Sequence, residues 1–345
     1  MEVVAEFRPQ GPLPARREAG GGPVLAALDL GTNNCRLLIA RPLPEGGFRV
    51  IDAFSRIVRL GEGVSATGRL SEAAMARTID ALRVCATKLQ RRGATHVRCV
   101  ATEACRRAAN CGEFVARVRR ETGIRLEIIS AREEAALAFN GCAPLLEAGW
   151  PRAVVFDIGG GSTEVGWLGL DGPVPDLLGW LSIPIGVVTL AERHGSARLP
   201  DALYDVMVEE VAVQLRPFAA AHGIAEGIAA GTVQMLGTSG TVTTLAGVHL
   251  GLARYDRNQV DGRYLDFAAI RRVSAELAAM ECAERAGNPC IGRDRADLVV
   301  AGCAILEAMC RLWPVGRLRV ADRGVREGIL HGLMFETGRA AELPA

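Results

Sequence analysis

Four times along the chain a short apolar run stops at a glycine-containing turn and gives way to small or polar residues. The first runs from Val24 to Leu28 and ends in Asp29-Leu30-Gly31-Thr32-Asn33-Asn34. The second, Ala153 to Phe156, ends in Asp157-Ile158-Gly159-Gly160-Gly161-Ser162-Thr163-Glu164. Each reads as a buried strand entering a tight turn. Both put Asp, an aliphatic residue and Gly at the strand end, so the pair marks an internal duplication at the scale of a domain. The third junction is LGTSGTVTTLAG around Gly237 to Gly247, and the fourth follows Leu318 and Val320 in ADRGVREGILHGL.

Between the two duplicated turns, Ser71 opens an amphipathic helix with Met75, Ile79, Leu82 and Leu89 on one face, stopped by Gly93. His96 to Ala101 reads as a strand, Glu103 to Glu121 as one helix closed near Gly123, and Arg125 to Ile129 as a further strand. Ser130-Ala131-Arg132-Glu133 has capping-box spacing, which predicts a helix from Ser130 to about Gly141 that carries the chain into a second lobe. Leu298 to Cys310 is too short to span a bilayer and carries Glu307, so a buried helix is expected there. Helices alternating with strands predict an α/β protein.

A length of 345 residues favours two domains, and 49% apolar against 23% charged residues excludes wholesale disorder. The formal net charge of +1 gives no global field for nucleic acid or an anionic membrane, so an anion must be caught locally. Lys88 is the one lysine, which removes the Gly-Lys-Ser/Thr end that a P-loop needs. Ten cysteines without a CxxC pair, most of them in apolar runs, read as reduced core thiols and place the chain in the cytoplasm. Residues 1–22 lack the apolar stretch of a signal peptide and are expected to form a flexible tail.

Turns of Gly with Ser, Thr or Asn leave backbone N–H groups that a phosphate can approach closely. Gly31, Thr32, Asn33 and Asn34 form one such candidate nest, Gly159, Gly160, Gly161 and Ser162 a second, and Gly240 with Thr241 a third. Asp29 and Asp157 head the duplicated turns and are candidate ligands for a divalent cation, Mg²⁺ held partly through water. Glu164, directly after the second turn, is either a strand-edge charge or a further metal or water-positioning group. Glu133 falls where it caps the backbone of its helix, while Glu134 is turned roughly 100° from it. In the first helical turn the dipole favours ionised Glu134, which suits a general base. Of Arg106 and Arg107 at most one faces a site, and Arg107, Arg326 and Glu327 are expected at the surface.

The ordered set DLGTNN, ATEACRRAAN, ISAREEA, FDIGGGSTE, LGTSGTVTTLAG and GVREGIL resembles the exopolyphosphatase and guanosine pentaphosphate phosphatase family over about residues 24 to 335. The resemblance implies the duplicated ribonuclease H-like fold of actin, hexokinase and the Hsp70 ATPase, with an active site in the cleft between lobes. The implied domains are 23–131 with about 323–337, and 132–322. The family's catalytic glutamate falls on Glu134, its phosphate-loop aspartates on Asp29 and Asp157, its glycine loop on Gly159 to Ser162 and its further acid on Glu164. Its phosphate-binding arginine falls on Arg106. Implied substrates are inorganic polyphosphate or guanosine pentaphosphate, and relatives imply a homodimer.

Two departures stand out. Glu103 occupies a position near the anion site where the family more often has a small residue, and the chain stops after the duplicated pair, which favours short polyphosphate. The competing readings are a guanosine pentaphosphate 5′-phosphohydrolase, a phosphotransferase of the same superfold, and a non-catalytic sensor of guanosine tetraphosphate. A methyltransferase glycine loop is disfavoured by Thr163 at its last glycine position.

Overall fold

In the computed structural model, which describes residues 22–172 and 175–342, the chain divides into two compact units. The expected tail at 1–22 lies outside the described residues except for Gly22. Of the described residues, one unit comprises those up to Gly141 together with those from Val325 onward, and the other comprises those within Cys142–Gly324.

The first unit opens with β1 (Leu25–Leu30), β2 (Asn34–Pro42) and β3 (Phe48–Ile57), an antiparallel meander, followed by α1 (Val64–Thr67) and α2 (Glu72–Arg92). Ser71 caps α2 by accepting from the Ala74 N–H, and Gly93 in the left-handed region ends it, so both predicted boundaries hold. β4 (His96–Ala101) then lies parallel to β1. The single helix expected over Glu103 to Glu121 is instead two, α3 (Glu103–Arg107) and α4 (Cys111–Thr122). The interruption has a tertiary cause. Asn110 exchanges both amide bonds with the Leu70 backbone, accepting at 2.8 Å and donating at 3.0 Å, and the Ala109 N–H goes to the Gly68 carbonyl at 2.9 Å. These bonds satisfy backbone groups outside a helix.

Only Glu127–Ile128 of the expected last strand forms β5, parallel to β4, before α5 (Ala131–Cys142). The sheet order is therefore β3-β2-β1-β4-β5. One core cluster joins Ala26, Leu28, Leu37 and Ile39 to Met75, Ile79, Leu82 and Cys85 of α2.

The second unit repeats the plan. β6 (Arg152–Ile158), β7 (Thr163–Gly169) and β8 (Asp176–Ile183) form the meander, followed by α6 (Val187–His194), α7 (Asp201–Ala221) and α8 (Ile224–Ala229). β9 (Val233–Ser239) lies parallel to β6 and leads into α9 (Gly240–His249) and α10 (Arg257–Val260). After β10 (Tyr264–Asp266) come α11 (Phe267–Ala279), α12 (Cys282–Gly287) and α13 (Val299–Leu312), the buried helix read from the sequence. β11 (Arg317–Ala321) is parallel to β9, and β10 adds an antiparallel edge, giving β10-β11-β9-β6-β7-β8. Taken from the third meander strand, both sheets read 3-2-1-4-5, the ribonuclease H-like order, duplicated as the matched turns imply.

The chain returns to the first unit as α14 (Val325–Glu342), which packs on β1 and β2. The division places α5 with the first unit, which moves the boundary expected at 131/132 to 141/142 and the return from about 323 to 325. Close packing explains why. A Cβ on Gly328 of α14 would overlap the Leu137 carbonyl of α5, so the two helices approach to backbone contact there. No helix among the described residues is long and apolar enough to cross a membrane.

Two predictions follow from this packing. Gly328→Ala should destabilise the first unit by on the order of 2 kcal/mol through overpacking, seen as a lower thermal midpoint. The second concerns Asp52 of β3, whose carboxylate accepts from Lys88 at 2.7 Å and Arg92 at 2.9 Å of α2. The Lys88 bond, reinforced by Arg92, holds its pKa down to about 2, against 3.8 for an ordinary aspartate. A lowered folded-state pKa gives stability that is present above the unfolded value and lost as pH falls through the folded one. Asp52→Asn should therefore cost about 1 kcal/mol near neutral pH, and the difference in urea midpoint should vanish between about pH 4 and 2.

Candidate active site

The two duplicated hairpin turns share one backbone construction. In the first unit the Gly31 N–H donates to the Asn34 carbonyl at 2.9 Å, and in the second the Gly159 N–H donates to the Ser162 carbonyl at 2.9 Å. Each turn is then held from behind by the segment that leaves the third meander strand. The Thr32 carbonyl accepts from Gly61, and the Asn33 carbonyl accepts from Val58 at 2.8 Å and Arg59 at 3.0 Å. Arg59 has φ 48°, a left-handed value that lets two successive N–H groups converge on one oxygen. In the second unit the N-terminus of α6 does this work: Val187 donates to the Gly159 carbonyl at 3.0 Å and Val188 to the Gly160 carbonyl at 2.8 Å.

The consequence is electrostatic. A trans peptide sets its N–H opposite its C=O, so the N–H groups of Asn33 and Asn34, and of Gly160 and Gly161, point away from the segments that bind the carbonyls. Turns of this kind present concentrated donor edges to an anion. A glycine stands at each tie because no side chain would fit there. A Cβ on Gly186 would overlap the Gly160–Gly161 peptide, and one on Gly61 would overlap the Thr32 side chain. The side-chain Oδ1 atoms of Asn33 and Asn34 are buried without a hydrogen-bond partner, and half a turn of either amide presents Nδ2 donors instead.

The aspartates that head the turns occupy identical register positions with opposite surroundings. Asp157 faces Glu164 across β6 and β7, while Asp29 faces Arg36 across β1 and β2. Glu164 is not at a strand edge: β7 lies between β6 and β8, the residue is 1% exposed, and one carboxylate oxygen accepts from Ser182 at 2.9 Å. Burial, joined by the nearby Glu327 carboxylate, leaves the Asp29 pKa above the ordinary aspartate value although Arg36 and Arg326 pull it down. Arg326 and Glu327, expected at the surface, are instead turned inward beside it, Glu327 being buried. A divalent cation thus suits the acidic pair of the second unit better than the mixed pair of the first. Among the described residues no three His, Cys, Asp or Glu side chains gather at metal-holding distance. Two carboxylates complemented by water and phosphate oxygens are a normal Mg²⁺ environment.

Glu134 stands in the first turn of α5, where its N–H donates to the Ser130 carbonyl at 2.9 Å. Its carboxylate lies 2.8 Å from Arg106 Nη1. Ser130 caps the helix through the Glu133 N–H at 3.1 Å, as the spacing predicts. The carboxylate of Glu133, expected to cap in return, pairs with Arg98 of β4 at 2.5 Å. The two neighbours are separated as helix geometry requires, Glu133 toward β4 and Glu134 toward α3. On α3, Arg106 is turned inward and Arg107 is exposed. Arg106 also donates to Glu103 through Nη2 at 2.8 Å and Nε at 3.1 Å, and to the Ile129 carbonyl through Nη1 at 3.0 Å. Its pKa is raised, since the Glu134 and Glu103 carboxylates outweigh the opposing effect of its burial.

At the third junction Ser239 caps α9 by accepting from the Val242 N–H at 2.9 Å. Gly240 begins the helix, but the Thr241 side chain is buried where a Cβ on Gly302 of α13 would overlap it. Thr241 can therefore offer an anion its backbone rather than its hydroxyl. Sequence reasoning missed Gly61, Gly186, Arg36 and Arg98. The first two carried a usable signal, an aliphatic-Gly step after each third meander strand (Leu60-Gly61 and Ile185-Gly186), which is a further part of the duplication. The roles of Arg36 and Arg98 appear only once strand register is known.

A model of the Ppx/GppA phosphatase family matches residues 39–336. The chain is 33% identical over 319 residues to Exopolyphosphatase 2 of Mycobacterium tuberculosis, covering 88% of this chain and 97% of that one. It is 29% identical to a guanosine-5′-triphosphate,3′-diphosphate pyrophosphatase of Aeromonas salmonicida, covering 90% of this chain and 60% of that longer one. Among solved structures, an exopolyphosphatase from Cytophaga hutchinsonii superposes with a TM-score of 0.82 at 25% identity, covering 91% of this chain and 98% of that one. A family member from Aquifex aeolicus superposes with a TM-score of 0.73 at 28% identity, with the same coverage.

The tie behind the second turn can be tested directly. Gly186→Ala should force the Gly160–Gly161 peptide away from α6 and weaken inorganic phosphate binding by about tenfold or more, measured by calorimetry, with most of the thermal stability retained.

Proposed function

The chain belongs to the Ppx/GppA phosphatase family, and on that premise we propose that it is an exopolyphosphatase-type hydrolase releasing terminal phosphate from inorganic polyphosphate. The observation that carries the reading is the repeated turn whose carbonyls are tied back so that its amide edge is free to cradle a phosphate. Glu134, in the first turn of α5 and ion-paired to Arg106, is the group suited to act as base.

In this reading Glu134 orients a water and takes its proton as the water oxygen bonds to the terminal phosphorus. The bridging P–O bond opposite breaks, and the shortened chain leaves with the electron pair. The turn N–H groups steady the charge that spreads over the equatorial oxygens. Asp157 and Glu164 are the residues that would hold Mg²⁺ or another divalent cation, which would supply neutralisation of phosphate charge at the turn of the second unit. Asp29, flanked by Arg36 and Arg326, serves better to set the field at its own turn.

Guanosine pentaphosphate 5′-phosphohydrolase activity is the second reading. The similarity to the Aeromonas salmonicida protein supports it, and the same turn chemistry would accept that terminal phosphate. A cytoplasmic location and a homodimer belong to the same proposal.

Phosphate release should be measured on short polyphosphate, long polyphosphate, guanosine pentaphosphate and ATP with Mg²⁺. At least one of the first three should be turned over in preference to ATP. Glu134→Gln should lower kcat by about 10²- to 10⁴-fold, while Glu133→Gln, which alters one of the two carboxylate partners of Arg98, should retain most activity. A Glu134→Gln enzyme with wild-type turnover would refute the base assignment.

A further inference from the structure

Arg106 is the residue that the sequence offers as a phosphate fork, yet its hydrogen bonds leave little of it to offer. A guanidinium has five N–H groups. Nε and one N–H of Nη2 go to a single oxygen of Glu103, at 3.1 and 2.8 Å. Nη1 donates to the Ile129 carbonyl at 3.0 Å and lies 2.8 Å from Glu134. Three of the five are hydrogen-bonded and Nη1 is further held in the ion pair with Glu134, whereas a bidentate grip on phosphate needs two parallel N–H groups. The three side chains are 17%, 15% and 13% exposed for Arg106, Glu103 and Glu134, so solvent does little to loosen them.

We propose that Glu103 is a positioning residue that withholds the Arg106 fork from the substrate phosphate and commits the arginine to Glu134. The inference rests on the reading of Glu134 as the base. Glu103 sits one helical turn before Arg106, at the start of α3, so its backbone is anchored by the β4-to-α3 junction and its carboxylate reaches the Nε edge without strain. The Ile129 carbonyl, one residue before the cap of α5, fixes the opposite side of the guanidinium. The matching strand-to-helix junction of the second unit carries Thr241 at the place of Glu103, with no carboxylate there. A carboxylate at this junction is thus a feature of one half of the duplication, the half that holds Glu134.

Two consequences follow for substrate handling. Recognition of the terminal phosphate falls to the amide edges of the turns rather than to an arginine fork. Ground-state binding is thereby kept weak, which leaves more of the interaction energy for the transition state. Removing Glu103 would turn Arg106 into a phosphate ligand and loosen its hold on the base.

The test compares Glu103→Ala and Glu103→Gln with wild type in inorganic phosphate affinity by calorimetry, in KM and kcat on polyphosphate, and in thermal midpoint. The alanine variant should bind phosphate about tenfold more tightly, with KM and kcat both lowered. The glutamine variant, whose amide oxygen still accepts from Arg106, should fall between. Phosphate affinity that is weaker, or within about twofold of wild type, in both variants would overturn the proposal. A merely structural Glu103 would lower the thermal midpoint without tightening phosphate. Should the alanine variant fail to fold, the glutamine variant decides on the same criterion. If wild type releases phosphate from no substrate, the hydrolase reading fails, while phosphate affinity still decides the role of Glu103.

Discussion

The amide edge that each duplicated turn presents depends on whatever fixes the carbonyls of that turn. Here the answer is the same in both units. The segment leaving the third meander strand donates its N–H groups to the turn carbonyls, through Val58, Arg59 and Gly61 in one unit and Val187 and Val188 in the other. Once the carbonyls are committed, planarity of the peptide directs the amide hydrogens to the opposite side. The rest of each sheet is the scaffold that brings the third strand's exit behind the first strand's turn.

Duplication preserved this construction and let the flanking charges diverge. The register that sets Glu164 opposite Asp157 sets Arg36 opposite Asp29. Two facing acids invite a cation, whereas the acid of the first unit already has a guanidinium opposite it. Similar backbone geometry therefore supports different chemistry in the two halves.

Glu134 and Glu133, adjacent in sequence, are sent to different partners by helical rotation, one to Arg106 of α3 and the other to Arg98 of β4. Packing of α14 against α5, close enough that Gly328 meets the Leu137 carbonyl, holds the helix that carries both. The position of Glu134 thus depends on a contact nearly two hundred residues away in the chain.

Much of this was legible in the amino-acid order because it is written in local chemistry. Strands that end in Asp-aliphatic-Gly, the Ser71 and Gly93 limits of α2, the Ser130 cap of α5 and the buried α13 all follow from residues that govern their own backbone. Other features required the folded chain. Asn110 breaks a helix through bonds to Leu70, Thr241 turns its hydroxyl against α13, Glu164 is buried within a sheet, and Glu103 occupies the Arg106 fork. In each case the deciding partner is supplied by another element or by a side-chain orientation that spacing leaves open. A residue's own propensity sets which elements form, whereas hydrogen-bond partners and desolvation depend on neighbours that only folding brings near.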